Sequence, residues 1–495
     1  MSSYRQIFKS SVLIGGTQVI NIAIGIIRTK ALALLLGPAG IGLAGLYMSA
    51  TALIGSVVGL GLNVSGVQQI AEAAGTKDEN RIVRTIVTLR RLTLVSGLLG
   101  MIIALALAPL LSRTTFGDNK HVFAIALMSL TLLFNNLSMG QSVLLQGLRR
   151  LRDLATSQIL GTAFGAVVSV ALVWWLREKG IVPYLVAISA FGVILSWWYA
   201  RRVPVQRVPV TWRETLVVSR SLLVLGVAFT VSPLISSSSA YLIRILIQHQ
   251  LGMEAVGIYT ATWTLSIYYI GFVVTAMGTD FLPRLSAANN DHAAMNRMVN
   301  EQIEMGVLVA VPGVLVTVTL APWVITMLYS GSFVQGAEMV RWQILGIFLR
   351  VVSWPLNCIL IAKGKSLWFL LGELVFGVTY VGSVLVCLKL WKLEGLGMAF
   401  ALTYLTYTTL MLLMAWRLTE FHWSATALKI LVPAVLIMGA IFGCTRFLPV
   451  WWSVSIGLAA TVVAGLASLQ VLQKLLGVNL LARIRSKLPW AEETN

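Results

Sequence analysis

Residues 92–112 read LTLVSGLLGMIIALALAPLLS, twenty-one positions without a charged side chain. At about 1.5 Å of rise per residue, a helix of that length matches the roughly 30 Å hydrocarbon core of a bilayer. Comparable stretches recur at 10–34, 40–66, 121–147, 155–176, 181–200, 221–249, 255–281, 305–329, 337–362, 366–388, 395–418, 425–447 and 452–473. They predict an all-α, polytopic membrane protein with about 14 transmembrane helices. The composition agrees: 58% of the 495 residues are hydrophobic and 11% charged, with a mean hydropathy of +0.86.

The net charge of +19 would suggest nucleic acid if the basic residues were spread evenly, and they are not. If the N-terminus is cytoplasmic, 25 of the 37 Lys and Arg fall in inside connections or the span ends beside them and seven in or beside outside ones. The inside groups include Lys77, Arg81, Arg84, Arg90 and Arg91, then Arg149, Arg150 and Arg152, then Arg201, Arg202, Arg207, Arg213 and Arg220. That bias predicts a multi-pass protein with both termini in the cytoplasm, its loops attracted to anionic headgroups of membrane lipids. No nucleic-acid partner is implied. The first apolar run is too long for a cleaved signal and reads as a retained helix. Cys358, Cys387 and Cys444 lie inside spans without metal spacing.

The chain also repeats. Leu36-Gly37-Pro38-Ala39-Gly40-Ile41-Gly42 is answered by Leu251-Gly252-Met253-Glu254-Ala255-Val256-Gly257, an offset of 215 residues. Asn80-Arg81 is answered by Asn296-Arg297, Leu107-Ala108-Pro109 by Leu320-Ala321-Pro322, and Gly147 by Gly364, in the same order. Six spans precede the seventh, so both copies start on the same side, as parallel repeats do. The predicted organisation is two parallel six-helix lobes plus an additional C-terminal helix pair. Residues 1–220 form the N-terminal lobe with its basic cytoplasmic linker, 221–418 the C-terminal lobe, and 419–495 the additional pair and a cytoplasmic tail.

Five basic residues fall within spans or at their outer ends: Arg28, Lys30, Arg244, Arg341 and Arg350. Only Glu373 and Asp280 lie comparably among the acids. An ionised side chain at mid-bilayer costs about 2.5–3.5 kcal/mol on insertion scales, so it faces a cavity or a partner. Arg28 and Arg244 occupy corresponding places in the two repeats. Arg28, Lys30 and Arg341 either line a cleft or snorkel to the interface. Arg350 and Glu373 either belong to the pathway or form a buried ion pair. Tyr259, Trp263, Tyr268 and Tyr269 on the eighth span either stack on sugar rings or pack in the core. A cationic cleft calls for an anionic cargo, since paired Arg groups match phosphate oxygens through forked hydrogen bonds.

Several motifs fail. Gly364-Lys365-Ser366 resembles the end of a phosphate-binding loop, but position 359 is Ile and no strand precedes it. His121, His249, His292 and His422 are scattered, and no catalytic cluster is evident. The chain is expected to be a transporter rather than an enzyme, with no cofactor.

Ile27-Arg28-Thr29-Lys30, the run 36–42 and Leu144-Leu145-Gln146-Gly147-Leu148-Arg149-Arg150 resemble Wzx-type polysaccharide flippases. These belong to the multidrug/oligosaccharidyl-lipid/polysaccharide exporter superfamily. Arg341-Trp342-Gln343-Ile344-Leu345-Gly346, Ile361-Ala362-Lys363 and Glu373 are similar to the O-antigen and enterobacterial common antigen translocases. The resemblance spans residues 5–418. It implies a bacterial inner-membrane flippase that carries an undecaprenyl-diphosphate-linked oligosaccharide from the cytoplasmic to the periplasmic leaflet by alternating access. Polysaccharide polymerase and chain-length proteins are the partners it implies, and proton or sodium coupling is compatible with it. An Arg late in the first helix matters in related lipid II flippases, and Arg28 matches that place. The pair 425–473 departs from the usual twelve spans; by analogy with lipid II flippases it either cradles the polyprenyl tail or stabilises the bundle. The rival readings are a lipid II flippase and a multidrug/cation antiporter of the same superfamily. Antiporters of that kind generally use intramembrane acids, whereas basic residues predominate here.

Overall fold

The computed structural model describes residues 3–76, 78–203, 209, 211–278 and 281–476, and all its long elements are helices. They are α1 (Ser3–Val58), α2 (Leu62–Gly75), α3 (Glu79–Phe116), α4 (Val122–Gly147), α5 (Leu151–Leu176), α6 (Ile181–Ala200), α7 (Trp212–Ala228) and α8 (Val231–Leu251). There follow α9 (Met253–Gly278), α10 (Phe281–Ala287), α11 (His292–Leu328), α12 (Ala337–Ala362), α13 (Ser366–Thr419), α14 (Ala425–Phe447) and α15 (Val450–Leu476). Among the described residues, nine segments are long and apolar enough to cross a membrane. The chain is thus an all-α, polytopic membrane protein.

Three of those segments, Gly15–Val58, Leu151–Ala200 and Ser366–Thr419, have 44, 50 and 54 residues. That is about twice what one crossing needs. Each breaks near its middle: at Gly37 (φ 63°, ψ −172°), at the 3-10 turn Arg177–Gly180, and at Lys392 (φ 49°, ψ −128°). Two expected spans are also interrupted. The stretch 40–66 breaks at Leu60 and Gly61, both with positive φ, and 221–249 breaks between α7 and α8 at Phe229–Thr230. Apolar content carries no signal for such breaks. Helix starts follow local chemistry: the Asp78 carboxylate accepts from Asn80 and Arg81 N–H to cap α3, and the Ser424 hydroxyl accepts from Ala427 N–H to cap α14.

By internal contacts the chain divides into two units. The first comprises Met1–Trp263 with Ile325–Gly336 and Tyr380–Leu393. In it, the single hydroxyl hydrogen of buried Ser96 on α3 is shared between the Val58 carbonyl (2.7 Å) and Asn136 Oδ1 on α4 (3.0 Å). Its decisive contact joins α1 to α9. A Cβ on Gly42 would stand 2.4 Å from the Met253 carbonyl oxygen, and one on Gly257 1.8 Å from that of Pro38. Only glycine permits this approach. Pro38 and Met253 are 215 residues apart, as are Gly42 and Gly257, so the contact is reciprocal, as across a two-fold axis. Gly45 and Thr260, with the same offset, touch each other. Gly37 and Gly252, the repeat's first glycines, share one backbone conformation, Gly252 having φ 85° and ψ −178°.

The second unit comprises Thr264–Val324, Ala337–Thr379 and Glu394–Asn495. Here α14 is fastened at both ends. Ser424 N–H and Oγ donate to Asn300 Oδ1 (2.9 Å) and Glu304 Oε1 (2.6 Å) of α11. At the far end Arg446 pairs with Glu338 of α12 (3.1 Å) and Glu394 of α13 (2.6 Å). The Thr319 side chain lies against Gly457 of α15.

Candidate functional site

In the first unit Arg244 lies on α8, 7% exposed. Its Nη1 donates to the Ala240 carbonyl one turn back (3.0 Å), and its guanidinium carbon sits 5.4 Å from the Tyr259 ring centre. Its Nε is buried without a partner. No carboxylate pairs with Arg244 among the described residues. Tyr259 and Trp263 stand one turn apart on α9, so they share a face. The Tyr259 hydroxyl meets that of Tyr380 on α13 at 3.1 Å. The Trp263 ring stacks 6.0 Å from Tyr259 and 6.2 Å from Tyr380. The result is a buried cation against one ring of a three-ring aromatic cluster. An effective desolvation penalty of several kcal/mol per buried ion is set against one charged hydrogen bond, about 1.5–3 kcal/mol, and a cation–π contact of about 2 kcal/mol. The guanidinium is thus buried with no carboxylate to balance its charge among the described residues.

Arg28 on α1 is half-buried, its Nε also lacks a partner, and it acts electrostatically on buried Tyr184 of α6. Lys30 donates to the carbonyls of Thr326 (3.0 Å) and Met327 (2.6 Å), in the last turn of α11. The 215-residue register refines the correspondence of the arginines: Arg244 aligns with Thr29, and Arg28 with Ile243. One residue is about 100° around a helix, so the two guanidinium groups leave their helices in different directions.

In the second unit Arg350 and Glu373 are linked through tyrosines. Arg350 hydrogen-bonds Tyr404 and lies 5.9 Å from its ring centre. The Tyr407 hydroxyl donates to Glu373 Oε1 (3.3 Å), and Phe376 sets its ring against both tyrosines at 5.0 and 5.4 Å. Arg341 is buried and engaged: Nε donates to the Val318 carbonyl (3.0 Å) and Nη1 pairs with Glu338. Glu338 also binds Arg446, while Trp342 Nε1 donates to Glu394 (3.0 Å). Arg341 therefore sits in the network that seats α14. Asp280 and the side chains of Tyr268 and Tyr269 lie outside the described residues.

Glu214, at the start of α7, and His121, just before α4, are perturbed. Hydrogen bonds from Thr211 N–H and Oγ1, helped by Arg84 at 3.2 Å, hold the Glu214 carboxyl below its usual pKa. Burial holds the His121 imidazole below its usual value; Lys120 adds to this and Asp118 opposes it. The His121 ring stacks on Phe116 at 3.9 Å, and Nδ1 meets the Tyr47 hydroxyl at 2.7 Å.

The sequence model of a family described as "Polysaccharide biosynthesis protein" matches residues 31–338. The chain belongs to that polysaccharide biosynthesis family. Two proteins similar to this chain, from Escherichia coli (strain K12) and Shigella flexneri, are lipid III flippases. Each is 26% identical over 422 residues, covering 81% of this chain and 96% of the relative. Among solved structures, an inward-facing multidrug transporter of the MOP superfamily superposes with a TM-score of 0.71 at 16% identity, covering 81% of this chain and 95% of its own. A lipid II flippase in an inward closed conformation gives 0.70 at 10% identity, covering 95% and 100%. These structures share the fold.

Of the aromatic shell in this family member, the sequence offered Tyr259 and Trp263 but not Tyr380. A lone tyrosine in an apolar helix carries no pattern that separates it from core. Tyr404 and Tyr407 were missed for the same reason.

Proposed function

We propose that this chain is a flippase that turns an undecaprenyl-diphosphate-linked oligosaccharide unit from the cytoplasmic to the periplasmic leaflet of a bacterial inner membrane. Family membership and the two lipid III flippase relatives support this class of cargo. The carrying observation is Arg244, a buried guanidinium with an unpartnered Nε beneath Tyr259. Such a group suits a diphosphate, which supplies the charge that the protein withholds. The rings of Tyr259, Trp263 and Tyr380 pack on one another, with Tyr259 and Tyr380 buried, so their faces meet a sugar only when the site opens. Arg28 is the second cation proposed for cargo in the first unit, and Arg350 and Glu373 are the proposed cargo residues of the second.

The proposed architecture has fourteen crossings. The three long segments contribute two each, the other six qualifying segments one each, and α8 and α9 the last two. The 215-residue offset and its matched glycine conformations support parallel repeats within 1–220 and 221–418. The segment 419–495 supplies α14, α15 and the tail. Both termini are cytoplasmic, as the basic loops favour. The chain works by alternating access as a transporter, not an enzyme, and draws on a proton or sodium gradient. Polymerase and chain-length proteins receive the product.

Deletion followed by radiolabel tracing of polyprenyl-diphosphate glycans tests this. The expected result is cytoplasmic-side accumulation, relieved by the wild type but not by Arg244→Ala. Normal glycan export in the deletion strain overturns the reading. Liposome transport indifferent to every imposed gradient overturns the coupling.

A further inference from the structure

The first unit contains two side chains that reach from one repeat to the end of a helix in the other. Lys30 of α1 donates to the Thr326 and Met327 carbonyls at the end of α11. His249 of α8 bonds through Nε2 to the Thr114 carbonyl, 2.9 Å away, in the last turn of α3. A carbonyl oxygen only accepts, so the His249 Nε2 carries a hydrogen. Helix ends leave their last carbonyls without intrahelical partners and carry a partial negative charge, so both donors are well placed.

The two contacts are related by the repeat. Leu107-Ala108-Pro109 on α3 answers Leu320-Ala321-Pro322 on α11 at an offset of 213, which carries Thr114 onto Met327. On the other side the 215-residue offset carries Lys30 onto Ile245, one helical turn before His249 and therefore on its face. The contacts thus cross the axis on which Gly42 meets Met253 and Gly257 meets Pro38. Thr115 and Tyr241 strengthen the α3 side with a hydroxyl pair at 2.5 Å. The buried Arg244 lies just over one turn before His249 on α8.

We propose that Lys30 and His249 are a reciprocal pair of latches, each holding a helix end of the opposite repeat, and that both must release to open this end of the first unit. Its place in a transport cycle rests on the flippase reading above; its geometry does not. Lys30 then acts by holding the closed state rather than by gripping cargo. Backbone carbonyls are neutral partners, so each latch holds without a second buried charge and can be released reversibly.

The test uses Thr260→Cys in the full chain with Cys358, Cys387 and Cys444 replaced by alanine. The Thr260 hydroxyl is buried where α9 faces Gly45, so an introduced thiol reports opening of this contact. Labelling with a membrane-impermeant maleimide is followed in right-side-out and inverted vesicles without added glycan lipid. Lys30→Met and His249→Ala should each raise the labelling rate about tenfold, the double change more, and Lys30→Arg should restore slow labelling. Monodisperse elution of each variant separates opening from unfolding. Unchanged labelling in the folded double variant overturns the latches. Faster labelling from the right-side-out face supports them, and faster labelling only in inverted vesicles supports them while reversing the assigned orientation. Glycan tracing is a separate measurement, so a failed flippase reading would leave the labelling result standing.

Discussion

Replacing Arg244 with methionine separates a cargo ligand from a structural arginine. The side chain is 7% exposed and makes one carbonyl hydrogen bond and one aromatic contact, with Nε unpartnered. Losing the hydrogen bond and the cation–π contact costs about 3–5 kcal/mol together. Removing the buried charge returns several kcal/mol of desolvation. The two nearly cancel, so the variant should stay within about 1–2 kcal/mol of the wild type while export falls at least tenfold. Arg341→Met is the contrasting case. It removes the partner of Val318 and Glu338 and disturbs the Arg446 network. Loss of charged hydrogen bonds there should cost about 1.5–3 kcal/mol with a smaller effect on export. The assay pairs the melting temperature of purified protein in detergent with radiolabelled glycan tracing in a deletion strain. A large loss of stability in Arg244→Met, with export falling only in proportion to folded protein, would refute the ligand assignment.

Three further outcomes are expected. Gly257→Ala puts a methyl group against the Pro38 carbonyl; overpacking of this kind costs about 1–3 kcal/mol, and maleimide labelling of Thr260→Cys should rise in that background. His121 is held below its ordinary pKa of 6.5, so its contribution to stability is full above that pH and declines as pH falls through the folded value. His121→Phe keeps a ring against Phe116 and should flatten that slope in melting curves between pH 7 and 5. Glu214 is likewise depressed below its ordinary 4.5; the start of α7 should stay docked above that pH and loosen as pH falls through the lower folded value. Hydrogen exchange at Thr211 and Glu214 reads this, and Glu214→Gln should show the fast exchange at every pH.

Apolar length made the membrane class legible, because every backbone group in hydrocarbon must bond within its own helix. The contact of α1 with α9 was legible through glycines, which the chain needs wherever backbone approaches backbone, as at Gly42 and Gly257. Breaks at Leu60–Gly61 and Phe229–Thr230 were not, since a hydropathy window averages across a turn of two residues. Nor was the pairing of Arg341 with Glu338, even though the two lie three positions apart on one helix face. Glu338 falls at the start of its span, where an acid reads as a solvated helix end. Tyr380, Tyr404 and Tyr407 gather around the cations only through tertiary packing, which leaves no periodic trace.

The repeat itself sorts scaffold from function. Gly37, Gly42 and their counterparts Gly252 and Gly257 recur because the reciprocal contact requires small residues on both sides of its axis. The arginines of the first unit's site do not recur, unlike the Lys30 and His249 latches: Arg28 faces Ile243 in the register and Arg244 faces Thr29. A cation needed only to hold the bundle together would serve both copies equally, since each copy has the same helix ends to satisfy. An amphiphilic cargo is different at its two ends, and no two-fold symmetric site fits such a molecule. The asymmetric charges on a symmetric frame are therefore the part of the chain addressed to the cargo, and exchanging Arg244 with Thr29 should abolish export while leaving the glycine contact intact. That exchange, read by glycan tracing and by Thr260→Cys labelling together, fails the idea if export survives.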